Sequence, residues 1–388
     1  MKKHPATGRF HVDIQLSLVC ISLLIVGYVM VTSASLHLGM KMAGSMSYYP
    51  LRQLVHISLG LLFAGFTLKV PMQRWEQLSS VLFVASLLLL VVVLVPGLGV
   101  RVNGSVRWLS VGGLRIQVSE VTKACAVLFM SGYITRHYEH IQKSAFGVVK
   151  PLLLFFAASV LLLLEPDFGS AVVILIIALG TLFLAGARMG QFSILMSVVA
   201  GLGALMVSMS PYRLRRVTSF LDPWADPLNT GFQLAQALIS FGRGEWFGVG
   251  LGGGIQKLFY LPEAHTDFLF SVIAEELGLF GVIIVVGLFS LFIWRAFVIA
   301  QMAEAAGQKF SAYTAYGLGI WFGFQTFVNI GVNMGILPTK GLTLPLMSYG
   351  GGSMIVMCMS IALLFRVYSE AAEHYACTPK GKKQWRSA

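Results

Sequence analysis

The chain has 388 residues, of which 56% are hydrophobic and 11% are charged, and its formal net charge at pH 7 is +12. Apolar runs of about twenty residues recur along it, which excludes an ordinary soluble domain. The runs lack β-barrel alternation, so their backbone hydrogen bonds must be satisfied within helices. The sequence therefore predicts an all-α, polytopic membrane protein, with residues 1–388 in a single integral membrane domain.

Ten membrane-spanning helices are predicted in chain order. They cover residues 12–34, 51–70, 78–98, 118–136, 147–164, 170–187, 190–208, 267–298, 310–332 and 353–370. The first span follows Lys2, Lys3 and Arg9 without a small-residue cleavage site, which predicts an uncleaved anchor.

The positions of Lys and Arg predict the orientation. With the N-terminus inside, more than half of these residues lie in inner segments, and most others lie in longer outer loops, which the rule weights lightly. We therefore expect cytoplasmic tails at 1–11 and 371–388, and a large extracytoplasmic loop at 210–266, before the eighth span. The second tail ends in a basic segment, 380–386, which favours anionic membrane lipids as its partner and not nucleic acid.

Charged residues mark the start of the fourth span. Glu120 and Lys123 are one helical turn apart, and Arg115 lies just before them. In water, such a pair only stabilises its helix by a few tenths of a kcal/mol. In a helix that enters the membrane, three charged residues indicate that their side chains face a polar cavity and serve a function. In the next outer turn, 164–170, Asp167 either caps the following helix or belongs to the same site.

The long outer loop leads to a further acid, Asp267, at the mouth of the eighth span. Burying a carboxylate at a membrane boundary costs several kcal/mol, so such acids are candidates for function. We predict that four residues of this loop contact the substrate, namely Arg243, Lys257, Glu263 and His265. The glycine-rich run 247–254 lacks the preceding strand and the ending of a phosphate-binding loop, which favours a hinge or a close backbone approach.

Three longer motifs resemble those of the SEDS family, the shape, elongation, division and sporulation proteins. They read Leu261-Pro-Glu-Ala-His-Thr-Asp-Phe268, Glu275-Glu-Leu-Gly278 and Leu337-Pro-Thr-Lys-Gly-Leu-Thr-Leu-Pro-Leu-Met-Ser-Tyr-Gly-Gly351. The resemblance extends over nearly the whole chain. The third motif, which contains Lys340 as a further substrate-binding candidate, resembles the division members more than the elongation members.

The resemblance implies a glycosyltransferase that polymerises lipid II, the membrane-anchored precursor of peptidoglycan. It implies action at the outer face of a bacterial inner membrane, at the division septum, with a class B penicillin-binding protein and other division proteins as partners. It assigns the catalytic carboxylate to Asp267 and activity or substrate handling to Arg115, Glu120, Lys123 and Asp167.

The chain also departs from the family's usual pattern. Val118, Glu165 and Phe168 stand where Pro, Gln and Leu are usual, and Gly352 stands where Ser is common. Phe259 stands where division members commonly have an acid. A role for that acid therefore cannot be transferred to this chain.

The chemistry of glycan extension fits these residues. A base must take the proton of the attacking sugar hydroxyl while a lipid pyrophosphate leaves. In the first turn of the eighth helix, Asp267 would be kept ionised by the helix dipole and would act as that base. The charge of the leaving group needs Arg, Lys or a divalent cation such as Mg or Mn, although no metal-ligand spacing is recognisable.

Two other functions compete with this hypothesis. A lipid II flippase would line a translocation path with Glu120, Lys123 and Glu276, and a noncatalytic division scaffold would need only interface residues. The charged residues cluster at the outer boundary, which favours chemistry there over passage across the membrane.

Overall fold

The computed structural model describes residues 10–102, 105–111, 114–209, 218–339 and 341–377. The longer helices of this part are α1 (Ile14–Ala43), α2 (Tyr48–Lys69), α3 (Met72–Leu94), α4 (Val118–Lys143), α5 (Ala145–Leu164), α6 (Phe168–Leu184), α7 (Met189–Ser208), α8 (Phe232–Gly244), α9 (Leu269–Ala305), α10 (Lys309–Asn333) and α11 (Gly351–Cys377). Three short strands, β1 (Gly99–Val102), β2 (Ser105–Val111) and β3 (Leu114–Gln117), lie between α3 and α4.

Each predicted span overlaps one helix, so the mainly helical class is confirmed. Six helices of the described residues are long and apolar enough to cross a membrane, namely α1, α2, α3, α5, α9 and α11. The apolar stretches of α6 and α7 are shorter. Helices α4 and α10 are long but carry buried polar side chains such as Lys123 and Asn329. The count of ten crossings stays a prediction.

Local signals set the ends of α1. Asp13 caps its start by accepting a hydrogen bond from the Leu16 N–H at 2.9 Å. The same carboxylate forms an ion pair with Arg295 of α9 at 2.6 Å, which ties the two helices together. Gly44 ends α1 in the left-handed region (φ 66°), which glycine adopts without steric cost.

The three strands form a small antiparallel sheet in the order β1-β2-β3, which the sequence analysis did not predict. Asn103-Gly104 and Gly112-Gly113 separate the strands in the sequence, and such dipeptides are strong hairpin signals. The sheet lies against the start of α11, because a Cβ at Gly352 would be 2.8 Å from Ile116 Cα. Only glycine allows this approach.

Helix α9 has 37 residues, which corresponds to about 55 Å at 1.5 Å per residue, well beyond a bilayer core of about 30 Å. Gly278 breaks its helical geometry with φ 66° and ψ −165°. The segment before this kink carries Glu275 and Glu276, and it packs against the loop that follows α8.

The connections gather at two ends of the helices. At the end predicted to face outward, contacts join Arg107 of β2 to the α5–α6 turn and Tyr349 to His265. At the opposite end, Arg366 of α11 donates to the Leu68 carbonyl of α2. The first of these, called the outer end below, holds most of the predicted site residues.

Candidate active site

Asp267 lies just before α9, whose first residue is Leu269 and whose N-cap is Phe268. The prediction that Asp267 belongs to the first turn of this helix is therefore wrong, because the chain still forms turns at 262–268. The Asp267 side chain is half-buried. Its Oδ2 is 3.0 Å from the position that a Cβ at Gly341 would occupy. The carboxylate therefore lies close to Gly341, where a larger side chain would crowd it.

Two buried asparagines of α10 hold the backbone at this position. Asn329 and Asn333 donate from Nδ2 to the Asp267 carbonyl at 2.9 and 3.0 Å. Asn329 also donates to the Leu342 carbonyl at 2.6 Å, and Asn333 Oδ1 accepts from the Ser271 hydroxyl at 2.7 Å. Helix α10 thereby fixes Asp267, the start of α9 and the loop after Gly341 to one another. Neither asparagine was predicted as a site residue, although two amides one helical turn apart in an apolar span are a visible signal in the sequence.

His265 packs between two tyrosines beside Asp267. Its ring centroid is 5.0 Å from that of Tyr49 and 5.5 Å from that of Tyr349. Burial lowers the pKa of His265, and the carboxylate of Glu263 opposes this shift. Glu263 itself is exposed and accepts a hydrogen bond from the Thr266 hydroxyl at 2.9 Å. The structure brings both predicted residues into the neighbourhood of Asp267.

Glu120 and Lys123 form a buried ion pair at 2.7 Å. Lys123 also donates to Gln325 Oε1 of α10 at 2.8 Å, and Gln325 in turn donates to the Thr343 carbonyl at 2.9 Å. The second carboxylate oxygen of Glu120 has no hydrogen-bond partner among the described residues. The pair thus connects α4 to α10 and to the loop after Gly341, and its role in substrate handling stays a prediction.

Asp167 is the N-cap of α6, as one of the two alternatives predicted. Its carboxylate accepts hydrogen bonds from the Ser170 N–H at 3.2 Å and from the Ser170 hydroxyl at 2.8 Å. Arg107 of β2 lies 4.0 Å away and donates to the Glu165 carbonyl at 3.1 Å. Gln117 of β3 approaches the same carboxylate at 3.4 Å. The sheet therefore clamps the α5–α6 turn.

Lys257 and Arg243 attach the outer loop to α9. Lys257 is buried, forms an ion pair with Glu276 and donates to Ser33 Oγ at 2.8 Å. Arg243 Nε lies 3.7 Å from Glu275 Oε1. Both cations therefore already have carboxylate partners, and their predicted contact with substrate stays a prediction.

The glycine-rich run makes the predicted close backbone approach to α9. A Cβ at Gly248 would be 2.1 Å from the Glu276 carbonyl oxygen, and one at Gly254 would be 2.9 Å from Glu275 Oε2. The Gly252 N–H donates to Glu276 Oε2 at 3.0 Å. Larger residues would separate this loop from the helix.

The last two basic residues predicted to bind substrate are Arg115 and Lys340. Arg115 is exposed on β3 near the start of α11. Lys340 lies outside the described residues. Among the residues that the structure describes, no three His, Cys, Asp or Glu side chains come together to hold a metal ion. Binding of Mg or Mn stays a prediction.

The family model of FtsW, RodA and SpoVE, described as cell cycle protein, matches residues 14–373. A probable peptidoglycan glycosyltransferase FtsW from Methylomonas methanica is 61% identical over 383 residues, which cover 99% of this chain and 98% of that protein. The protein of the same name from Methylococcus capsulatus is 58% identical over 368 residues, which cover 95% and 92%.

Solved structures show the same likeness. A chain from a peptidoglycan synthase complex, described as coordinating polymerization and crosslinking, has a TM-score of 0.77 at 31% identity, with 94% of this chain and 99% of that chain covered. The rod shape determining protein RodA of Thermus thermophilus has a TM-score of 0.68 at 28% identity, with 92% and 96% covered. The resemblance predicted from the motifs is therefore confirmed, and this chain belongs to the FtsW/RodA/SpoVE family of cell cycle proteins.

Proposed function

We propose that this protein is a peptidoglycan glycosyltransferase that polymerises lipid II into glycan strands during cell division. Relatives with this activity in their names align with nearly the whole chain. The observation that carries the proposal is the setting of Asp267, whose backbone is held by Asn329 and Asn333 while its half-buried carboxylate lies close to Gly341, where a larger side chain would crowd it.

The proposed reaction uses this carboxylate as a general base. Asp267 accepts the proton of the attacking sugar hydroxyl, the oxygen forms a bond to the anomeric carbon of the second sugar, and the bond from that carbon to the lipid pyrophosphate breaks with its electron pair. Since the asparagines fix the Asp267 backbone in advance, little reorganisation is needed at the moment of reaction. Arg115 and a divalent cation are proposed to stabilise the charge of the leaving group.

The proposed setting is the outer face of a bacterial inner membrane at the division septum, with both termini in the cytoplasm. The proposed partners are a class B penicillin-binding protein, which cross-links the new glycan, and other division proteins. The likeness to a chain of a synthase complex that couples polymerization to crosslinking supports such a pairing.

The flippase alternative has less support. It needs Glu120, Lys123 and Glu276 to line one path, whereas Glu120 is paired with Lys123 and Glu276 is paired with Lys257 in separate contacts. The scaffold alternative would leave Asp267 dispensable, so a substitution of Asp267 also tests that alternative.

Asp267→Asn separates these functions, because the amide keeps the size of the side chain and removes its basicity. With purified protein, its penicillin-binding partner and fluorescent lipid II, we expect polymerisation to fall by roughly a hundredfold or more. Asp222→Asn makes the same chemical change at an exposed position of the outer loop, where the amide oxygen can still accept the hydrogen bond of the Trp224 N–H, and should leave the rate unchanged. Retained polymerisation by a folded Asp267→Asn protein would overturn the catalytic assignment.

A further inference from the structure

A cluster of rings that the sequence analysis did not single out lies beside the proposed catalytic residue. We call Tyr49, His56, His265 and Tyr349 the aromatic cluster. Tyr349 is its centre, with ring centroids 5.3 Å from Tyr49, 5.5 Å from His265 and 6.1 Å from His56. The Tyr349 N–H donates to the His265 carbonyl at 2.9 Å, so the cluster is fixed to the segment that carries Asp267.

Helix α2 places polar groups without partners beneath this cluster. Gln53 is fully buried, and neither atom of its amide has a hydrogen-bond partner in the described chain. Nδ1 of His56 is also buried without a partner. Gln53 lies one turn from both Tyr49 and His56 on one face of α2, and those two residues contact Tyr349. Unsatisfied buried polar atoms are costly, which indicates that a polar ligand or water completes the site.

Arg52 adds a cation to the outer end of the same helix. It is exposed, its guanidinium lies 4.2 Å from the centroid of the Tyr48 ring, and it opposes the rise that burial causes in the pKa of Tyr349. Its neighbours Leu51 and Val55 expose 60% and 47% of their surface. A charge flanked by exposed apolar side chains at the outer boundary suits an anion that carries a lipid tail.

The start of α11 packs against α2 and β3, the elements that carry Arg52 and Arg115. A Cβ at Gly351 would be 3.0 Å from His56 Nε2, and a Cβ at Gly352 would be 3.0 Å from the Arg115 carbonyl oxygen. These glycines let α2 and β3 approach the first turn of α11 from two sides. The first N–H groups of a helix have no partner within it and favour anions, as does the positive end of its dipole.

We propose that Arg52, Arg115 and the first turn of α11 bind the pyrophosphate of a polyprenyl-linked substrate, with the aromatic cluster as the surface against which its first sugar packs. This inference rests on the proposed function and adds Arg52, the cluster and α11 to it. An arginine guanidinium binds phosphate oxygens through paired hydrogen bonds, so two arginines, one on each element packed against this helix N-terminus, suit a ligand with two linked phosphates. Lys123, in contrast, is buried in its pair with Glu120.

The phosphate of an ordinary lipid headgroup has the same chemistry as one half of this ligand, so the test must separate the two. Full-length protein in neutral-lipid nanodiscs would be titrated with undecaprenyl pyrophosphate, with undecaprenol, which lacks phosphate, and with phosphatidylglycerol. The variants are Arg52→Ala, Arg52→Lys and Lys41→Ala. Lys41 is an exposed cation near the outer end of α1 and serves as the matched control.

We expect Arg52→Ala to weaken the binding of undecaprenyl pyrophosphate by about tenfold or more, because a charge-assisted contact is lost. Arg52→Lys should recover part of the affinity, whereas Lys41→Ala and the affinity for undecaprenol should be unchanged. Equal binding by wild type and Arg52→Ala would overturn the proposal. An equal loss for phosphatidylglycerol would also overturn it, since Arg52 would then be a general lipid contact.

The Asp267→Asn variant separates a test of the pyrophosphate site from a test of the proposed catalytic function. The variant should bind undecaprenyl pyrophosphate as wild type does, because the carboxylate acts in catalysis and not at the pyrophosphate. An active Asp267→Asn protein would refute the general base and leave the binding result intact. Unfolding temperatures of all variants establish that each protein is folded.

Discussion

Glu165, in the turn between α5 and α6, is a buried carboxylate whose pKa is strongly shifted. It is buried between α5 and α6, and its carboxylate oxygens have no hydrogen-bond partner in the described chain. Burial raises the pKa of Glu165 to about 8, Asp167 adds to the rise and Arg107 opposes it. The folded protein therefore binds this proton more tightly than the unfolded chain does, so folding stability decreases as pH rises from about 4.3 through this pKa.

Glu165→Gln tests this dependence, because the amide is isosteric and does not ionise. We expect the free energy of unfolding of the variant to exceed that of wild type by an amount that grows with pH, at roughly 1.4 kcal/mol per pH unit, up to about pH 8. Thermal unfolding in detergent between about pH 5 and about pH 9 measures it. Glu139→Gln, at an exposed ion pair with Lys143, is the control and should show no such growth. Parallel curves for wild type and Glu165→Gln would contradict the prediction.

Variants of Glu120 and Lys123 can show whether this ion pair stabilises the fold or takes part in substrate handling. Lys123→Met keeps much of the volume but leaves a buried carboxylate without its partner, so we expect a loss of stability of about 3–5 kcal/mol. Adding Glu120→Gln should recover most of that loss, because it removes the unpaired charge. If the double variant is stable but inactive, the pair takes part in substrate handling. If the double variant is stable and polymerises lipid II, the role of the pair is structural. A single Lys123→Met variant as stable as wild type would contradict the expected cost.

At the level of elements, α8 shows how glycine controls the approach of one helix to another. A Cβ at Gly244 would be 1.8 Å from the Ala274 carbonyl oxygen of α9, whereas nothing lies within 4 Å of a Cβ at Gly242. Gly244→Ala must separate the two helices and should cost about 1–3 kcal/mol or more. Gly242→Ala, in the same helix, should stabilise the protein by roughly 0.5–1 kcal/mol, because alanine favours helix.

Thermal unfolding of the two alanine variants in detergent measures this difference. Since α8 leads into the loop that carries Asp267, Gly244→Ala should also lower the rate of glycan polymerisation, and Gly242→Ala should not. Equal stabilities of the two variants would show that α8 does not pack closely on α9.

The orientation of the whole molecule is testable in intact cells. Cys20, Cys125 and Cys358 are buried, so a membrane-impermeant thiol reagent should not reach them. The distribution of Lys and Arg predicts that a cysteine introduced at Asp226 is labelled, because the outer loop faces outward. Cys377, near the end of α11, should be labelled only after the cells are opened. The reverse pattern would place Asp267 on the cytoplasmic side and refute the proposed chemistry.

The sequence by itself determined the helices, the segments that carry the site and the family. Hydropathy predicts helices because a backbone in lipid must satisfy its own hydrogen bonds, and this condition depends on local composition. The motifs around Asp267 and Gly351 indicated the family for a similar reason, since they are contiguous in the chain. The three-stranded sheet was missed although Asn103-Gly104 indicated a hairpin, because the hydropathy pattern does not cover a short polar loop.

Only the tertiary structure decided which groups face one another. From the sequence, Lys257 and Lys123 are both basic residues predicted to lie near the outer face. In the structure each is paired with a buried acid, Lys257 with Glu276 and Lys123 with Glu120. Conversely, Arg52 had no motif around it, and it became a candidate only because α2, β3 and α11 meet around glycines. Ion pairs and ligand sites join residues that are far apart in the chain. Their partners depend on how the helices pack, and the periodicity of one segment contains no information about another.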